Sequence, residues 1–242
     1  MTQKRLLFAT LLLSFLTSAV LAQDGRINAI DAIQRGNQKF SQGEYKLAIK
    51  EYGRVSPDAG ESYATSLYNT GVCYYELWQT DDAINYYRRA VAARQGRYPA
   101  ALHALGVAFK DLKRLEESKE SFEQAIRTSE GNYAPSHYLL GLLAMDEGDH
   151  PHAAASFRQA IGRFTTGFKD RIPAAHNNLG VALARMGRLI EARREFETAL
   201  RMSEGKFDEA TYNLKLCSSL LAIPQEALAS LKTVGTPERS GK

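Results

Sequence analysis

One spacing constrains this chain more than any other feature. Glycines at 36, 71, 106, 141 and 180 follow one another at steps of 35, 35, 35 and 39 residues. When each glycine is numbered position 8 of a repeat, position 20 reads Ala48, Ala83, Ser118, Ala153, Ala192 and Ala227. Position 24 reads Tyr52, Tyr87, Phe122, Phe157, Phe196 and Leu231, and position 27 reads Val55, Ala90, Ala125, Ala160, Ala199 and Val234. Small residues at 8 and 20 let two helices approach closely, and the aromatic at 24 fills the gap they leave. The small residue at 27 admits the next repeat. The cleanest copy is Ala174 to Leu200, two amphipathic helices joined at Met186-Gly187-Arg188.

A repeat near 35 residues carrying this pattern resembles the tetratricopeptide repeat family. The resemblance implies an all-α, right-handed α-solenoid of about six helix-turn-helix units. These fall at about 29–62, 64–97, 99–132, 134–167, 173–206 and 208–232. Each repeat packs only on its neighbours, so residues 23–232 read as one repeat domain. In repeat one Arg35 takes the family's usual Leu at position 7, tolerable where a first repeat faces water. In repeat six Lys215 replaces the glycine, as in a degenerate cap. Thr80 and Asp149 are expected helix caps, and Pro151 fits a first helical turn. The family's proline at position 32 is missing, with Gln95, Glu130 and Glu204 among the residues there. The links Gly96-Arg97-Tyr98, Gly131-Asn132-Tyr133 and Gly205-Lys206-Phe207 are expected to end helices with a left-handed glycine. The longest link, Arg163 to Pro173, is a candidate functional loop.

Residues 1–22 stand outside this frame. Lys4 and Arg5 precede an apolar run from Leu6 to Leu16, and Val20-Leu21-Ala22 offers a cleavage site before Gln23. That is the layout of a secretory signal peptide, too short for a comfortable span. The alternative is an uncleaved anchor. No Cys follows the cut, which argues against a bacterial lipid anchor. An exported protein, periplasmic or secreted, is expected, with no membrane span after cleavage. Removing the segment takes away two of 31 basic residues and none of 27 acidic ones, leaving a net charge of +2. Charge therefore gives no argument for a nucleic-acid partner. Residues 233–242 read as a disordered tail. Cys73 and Cys217 lie four repeats apart, too far for a bridge, and read as small apolar core filler.

Chemistry-bearing motifs are absent. There is no phosphate loop, HExxH or CxxC, and no Ser–His pairing is favoured, so no catalytic residue and no cofactor are assigned. His150 and His152, with Asp146, Glu147 and Asp149, read as a polar turn before they read as a metal site. His103, His137 and His176 share no acid or Cys at their phase.

The resemblance implies that first helices line a concave face through positions 5, 9 and 12. Here these are Ile33, Asn37, Phe40; Tyr68, Val72, Tyr75; His103, Val107, Lys110; Tyr138, Leu142, Met145; Asn177, Val181, Ala184; and Tyr212, Leu216, Ser219. Relatives that clamp a terminal carboxylate use Lys or Arg with Asn at positions 5 and 9, and only Asn37 matches. A face of Tyr, Val, Leu and Met suits an extended or amphipathic peptide of a protein partner. The alternative is that the tyrosines cover helix ends or that a chain terminus fills the groove. Asn69, Asn178 and Asn213 at position 6 form a partial ladder that could bond a peptide main chain, although Asn also serves packing there. The expected site is thus Tyr68, Asn69, Val72, Tyr75, His103, Val107, Tyr138, Leu142, Asn178, Tyr212 and Asn213. The expected function is a protein-binding scaffold of the cell envelope. The alternative is a self-associating repeat protein that uses the turn residue Trp78 and the last repeat.

Overall fold

A computed structural model describes residues 28–164 and 170–220. The expected signal segment, most of the long link, the expected second helix of repeat six and the expected tail lie outside the described residues. No β-strand occurs among the described residues. The chain divides into two compact units, one ending at Arg114 and the other beginning at Leu115. The boundary falls in the turn of repeat three, within the array that the sequence reads as one domain.

The first unit contains α1 (28–41), α2 (Tyr45–Tyr52), a 3-10 turn (Pro57–Ala59), α3 (Glu61–Glu76), α4 (Thr80–Ala93) and α5 (Pro99–Asp111). The second contains α6 (Leu115–Thr128), α7 (Ala134–Asp146), α8 (His150–Ile161), α9 (Ile172–Arg185), α10 (Leu189–Met202) and α11 (Asp208–Leu220). Within each unit consecutive helices pack on one another. A first helix such as α7 or α9 is gripped from both sides and is buried around most of its circumference. A second helix buries one stripe: Ala83, Tyr87 and Ala90 in α4, Ala153, Phe157 and Ala160 in α8, Ala192, Phe196 and Ala199 in α10. Those offsets repeat every three to four residues, which is one face of a helix.

The seam between paired helices is as tight as the residue pattern implies. A Cβ added at Gly71, Gly141 or Gly180 would lie 2.6 Å from a ring carbon of Tyr87, Phe157 or Phe196. Gly36 meets Tyr52 in the same way. Glycine at position 8 is therefore demanded by the aromatic at position 24.

The turns share one device. The amide of the residue after the turn position reaches back to a carbonyl five residues earlier, as in Arg188 N to Leu183 O at 2.9 Å and Gln79 N to Tyr74 O at 2.9 Å. This is a Schellman closure, and it needs a left-handed residue. Gly187 supplies it at φ +77°, but in repeat two Trp78 does so at +61°. Between repeats two consecutive residues are left-handed: Gln95 and Gly96 at +51° and +81°, Glu130 and Gly131 at +54° and +83°, Glu204 and Gly205 at +53° and +77°. This explains the missing proline at position 32, because proline is locked near −65° and cannot adopt a positive φ.

Capping differs from expectation at one end and agrees at another. Thr80 is the first residue of α4 rather than its cap, and Gln79 before it makes no side-chain capping bond. Asp149 does cap α8, accepting from His152 N at 3.2 Å, with Pro151 in the first turn. Arg35 points outward and its Nε lies 2.9 Å from Glu51, which also holds Arg54 at 2.8 Å. Both cysteines are buried free thiols.

Candidate functional site

In the first unit two side-chain hydrogen bonds hold the first helices α1, α3 and α5 in register. Asn69 Nδ2 donates to Asn37 Oδ1 at 3.2 Å, and Tyr52 OH donates to the same oxygen at 2.8 Å. Burial pushes the Tyr52 phenol up to about 12, so it stays a donor at any physiological pH. One repeat further on, the Tyr75 hydroxyl donates to the Asp111 carboxylate. Asp111 sits one residue past the positions that the repeat pattern singles out. Its role is visible only once α3 and α5 are side by side.

On this face Asn37 is exposed, and Asn69, Val72, Tyr75, His103, Val107 and Lys110 are half-buried. Lys110 Nζ is 4.0 Å from Asp111 Oδ1, so the rim carries a cation beside an anion. Tyr68 turns into the wall between repeats, its ring 5.8 Å from Tyr87 and 5.5 Å from Tyr98. It packs against the cluster of Ala64, Leu67, Ala90 and Ala101. Burial raises its pKa. It buttresses the face rather than projecting from it.

The second unit departs from the expectation. Tyr138 is 3% exposed and Leu142 is 9% exposed, so neither stands on the surface as an anchor. The Tyr138 ring lies 5.7 Å from Phe157 and 6.3 Å from Phe164, the first residue of the long link past its arginine. Burial pushes its phenol up to about 12. Asn178 and Asn213 are 0% exposed and are likewise interior. Asn213 Nδ2 donates to Asn177 Oδ1 at 2.9 Å, Asn177 Nδ2 to Asn178 Oδ1 at 3.3 Å, and Asn178 Nδ2 to the Tyr138 hydroxyl at 3.1 Å. These asparagines therefore bond inward, to one another and to Tyr138, instead of facing a groove. Position 6 faces the first helix of the preceding repeat, where an amide loses its water and must find a protein partner. Asn69 obeys the same rule toward Asn37, at a less buried place. Tyr212 is the exposed residue of the set, at 41%.

Three of the five histidines serve structure. His152 Nδ1 lies 2.6 Å from Asp149 Oδ2 at the α8 cap. Glu147, in the same turn, pairs with Lys119 of α6. His176 Nδ1 lies 2.7 Å from Glu195 Oε2, tying α9 to α10. His137 Nε2 reaches the Gly131 carbonyl at 3.1 Å and so braces the link before α7. No three His, Cys, Asp or Glu side chains gather as metal ligands among the described residues. No helix among them is long and apolar enough to cross a membrane.

This geometry agrees with comparisons to known proteins. Residues 33–98, 138–210 and 99–132 each match tetratricopeptide repeat profiles. No curated protein sequence matches the chain. Among solved structures, the chain is similar to MamA at 25% identity and TM-score 0.58, over 71% of this chain and 95% of that one. It is similar to YrrB, described as a TPR protein with an unusual peptide-binding site, at 20% identity and TM-score 0.56, over 82% and 97%. It is also similar to pilF of Pseudomonas aeruginosa at 17% identity and TM-score 0.62, over 87% and 90%. With glycine-on-aromatic seams repeating through both units and one repeat profile matching more than half its length, the chain belongs to the tetratricopeptide repeat family.

Proposed function

We propose that this protein is a non-catalytic, exported interaction scaffold of the cell envelope or periplasm. It takes an extended peptide or a helix of a partner protein on the first-helix face of its first unit. The carrying observation is the register of α1, α3 and α5, fixed by Asn69 to Asn37 and Tyr75 to Asp111. That register sets half-buried Val72 and Val107 beside amides. Among the described residues Asn37 Nδ2 and Asn69 Oδ1 make no hydrogen bond, which leaves one donor and one acceptor for a main-chain amide. A peptide needs that combination: apolar contact for affinity and paired amides for alignment. That YrrB, of the same fold, has a peptide-binding site supports the reading.

The test places a photo-crosslinking residue at position 72 or 107 in cells, with position 123 on α6 as control. One partner protein should be trapped from 72 and 107, and Val72→Glu with Val107→Glu should abolish its recovery while the thermal melt holds. A double variant that still recovers the partner would overturn the site. Fractionation with N-terminal sequencing tests export: a mature chain beginning at Gln23 is the expected result, and a cytoplasmic full-length chain would refute it.

Trp78 favours a second reading, self-association. It is 52% exposed at a left-handed turn position where repeats one, four and five have glycine. Sedimentation of wild type and Trp78→Ala across concentration separates the readings, since only self-association predicts a mass that falls with the substitution.

A further inference from the structure

We propose that the outer face of α4 is a second interaction surface, distinct from the first-helix face, which takes an acidic, Asp/Glu-rich segment of a protein partner. The face exposes Asn85, Arg88, Arg89, Ala92 and Ala93. Its guanidinium groups are held in place by aromatic rings. Arg89 lies 4.8 Å over the Tyr86 ring, and its Nη2 donates to the Tyr63 hydroxyl at 3.3 Å. Tyr86 is itself stacked on Tyr74, with centroids 5.1 Å apart and planes at 20°. Arg88 lies 5.6 Å from the Phe109 ring on α5.

Two features suit this face to a carboxylate ligand. Neither Arg88 nor Arg89 has a carboxylate within ion-pair distance among the described residues, so both charges are open to a partner. The two are also pre-positioned, so binding a carboxylate costs less side-chain entropy than ordering a free arginine would. A ring beneath a guanidinium leaves its N–H edge directed outward, the edge that pairs bidentately with a carboxylate. Ala92 and Ala93, one turn further on, let a partner backbone come close.

The same observations favour a peptide over a nucleic acid. The Tyr86 ring is covered by Tyr74 and by Arg89, so it offers no platform for a base. Asp81 and Asp82 in the first turn of α4 confine the positive patch to the later turns of the helix, too short a track for a continuing phosphate backbone. The positive patch is thus short, as a few spaced carboxylates require.

The test is fluorescence anisotropy of the full chain with three labelled probes: an alternating Asp-Glu octapeptide, a Ser-Gln octapeptide and a dT octanucleotide. The acidic peptide should bind in a salt-sensitive way and the Ser-Gln peptide should not. Arg88→Gln with Arg89→Gln should weaken the acidic peptide by roughly tenfold, the size expected for two partly exposed charge pairs, with the melt unchanged. Arg193→Gln with Arg201→Gln removes the same charge from α10 and should leave affinity within about twofold. Tyr86→Leu keeps the charge but frees Arg89, and should weaken binding by a smaller factor. No binding of the acidic peptide, equal losses in the two double variants, or tighter binding of the oligonucleotide would each overturn the proposal.

Discussion

The glycine-on-aromatic seam can be tested at Gly180. An alanine there places its Cβ 2.6 Å from Cε1 of Phe196, 2.8 Å from Cδ1 and 3.0 Å from Cζ. Comfortable carbon contacts are about 3.5–4.0 Å, so the ring must withdraw by about 1 Å. Phe196 is 0% exposed and has no room to do so freely. Overpacking of this kind costs about 1–3 kcal/mol, and the gain from replacing a mid-helix glycine by alanine returns about 1 kcal/mol. A contact as short as 2.6 Å belongs in the upper half of that cost, about 2–3 kcal/mol, so Gly180→Ala should destabilise by about 1–2 kcal/mol net, although alanine is the better helix former. Phe196→Leu removes the atoms at the Cε1 and Cζ places. In that background Gly180→Ala should become neutral or favourable, which gives a coupling of about 2 kcal/mol. Gly187→Ala serves as the contrast. Nothing lies within 4 Å of its Cβ, and its φ is +77°. Its cost of about 1 kcal/mol is purely backbone and should ignore Phe196. Urea unfolding followed by far-UV circular dichroism, at constant m-value, reads all of these. A neutral or stabilising Gly180→Ala in the wild-type background would refute the reasoning, as would single effects that add within about 0.5 kcal/mol.

Three further outcomes follow from local geometry. Trp78→Gly relieves a bulky residue at φ +61° and should raise stability by about 1 kcal/mol in the same titration. Burial holds the His137 imidazole below its usual 6.5, opposed by its bond to Gly131 O and reinforced by Arg163. The folded state thus resists protonation that the unfolded chain accepts: stability is full above pH 6.5 and declines as pH falls from there to the lowered value, and His137→Gln should flatten that part of the urea-midpoint curve. Burial pushes the Cys73 thiol up to about 12 and raises Cys217 as well, so a thiol-reactive dye at pH 8 should label neither cysteine until urea unfolds the chain.

The sequence carries the seam because the seam is periodic: a small residue, an aromatic and another small residue recur at fixed offsets whatever lies outside. It carries the absence of a position-32 proline only as an oddity, since the paired left-handed residues at Gln95-Gly96 appear only with the backbone. It misplaces Tyr138 for a different reason. Position 5 borders both the open face and the wall between repeats, and a ring there turns toward whichever side offers aromatic neighbours. Phe157 lies one helix away, but Phe164 belongs to the long link and cannot be paired with Tyr138 by repeat phase. The asparagines fail similarly, because residue type gives an amide's capacity and only the neighbouring helix decides where it is used.

The asparagines therefore separate recognition from folding. Asn177, Asn178 and Asn213 are fully buried and donate in sequence toward Tyr138. Replacing any one by alanine strands a polar partner in the interior, at about 1–3 kcal/mol. Asn37 is exposed, and its amide nitrogen makes no hydrogen bond among the described residues. Asn37→Ala leaves the Tyr52 hydroxyl and Asn69 Nδ2 without their acceptor at the edge of the open face, and should cost about 1 kcal/mol of stability, the low end of that range. Its larger effect falls on partner binding, where a lost amide donor strands a main-chain carbonyl of the peptide and weakens affinity by roughly tenfold. The two sets should sort cleanly when urea midpoints are set beside affinities for the crosslinked partner. If Asn178→Ala left stability unchanged, the inward ladder would carry no energy. If Asn37→Ala unfolded the chain as readily as Asn178→Ala, its amide would be part of the core, and the first-helix face would lose its reason to bind a peptide main chain.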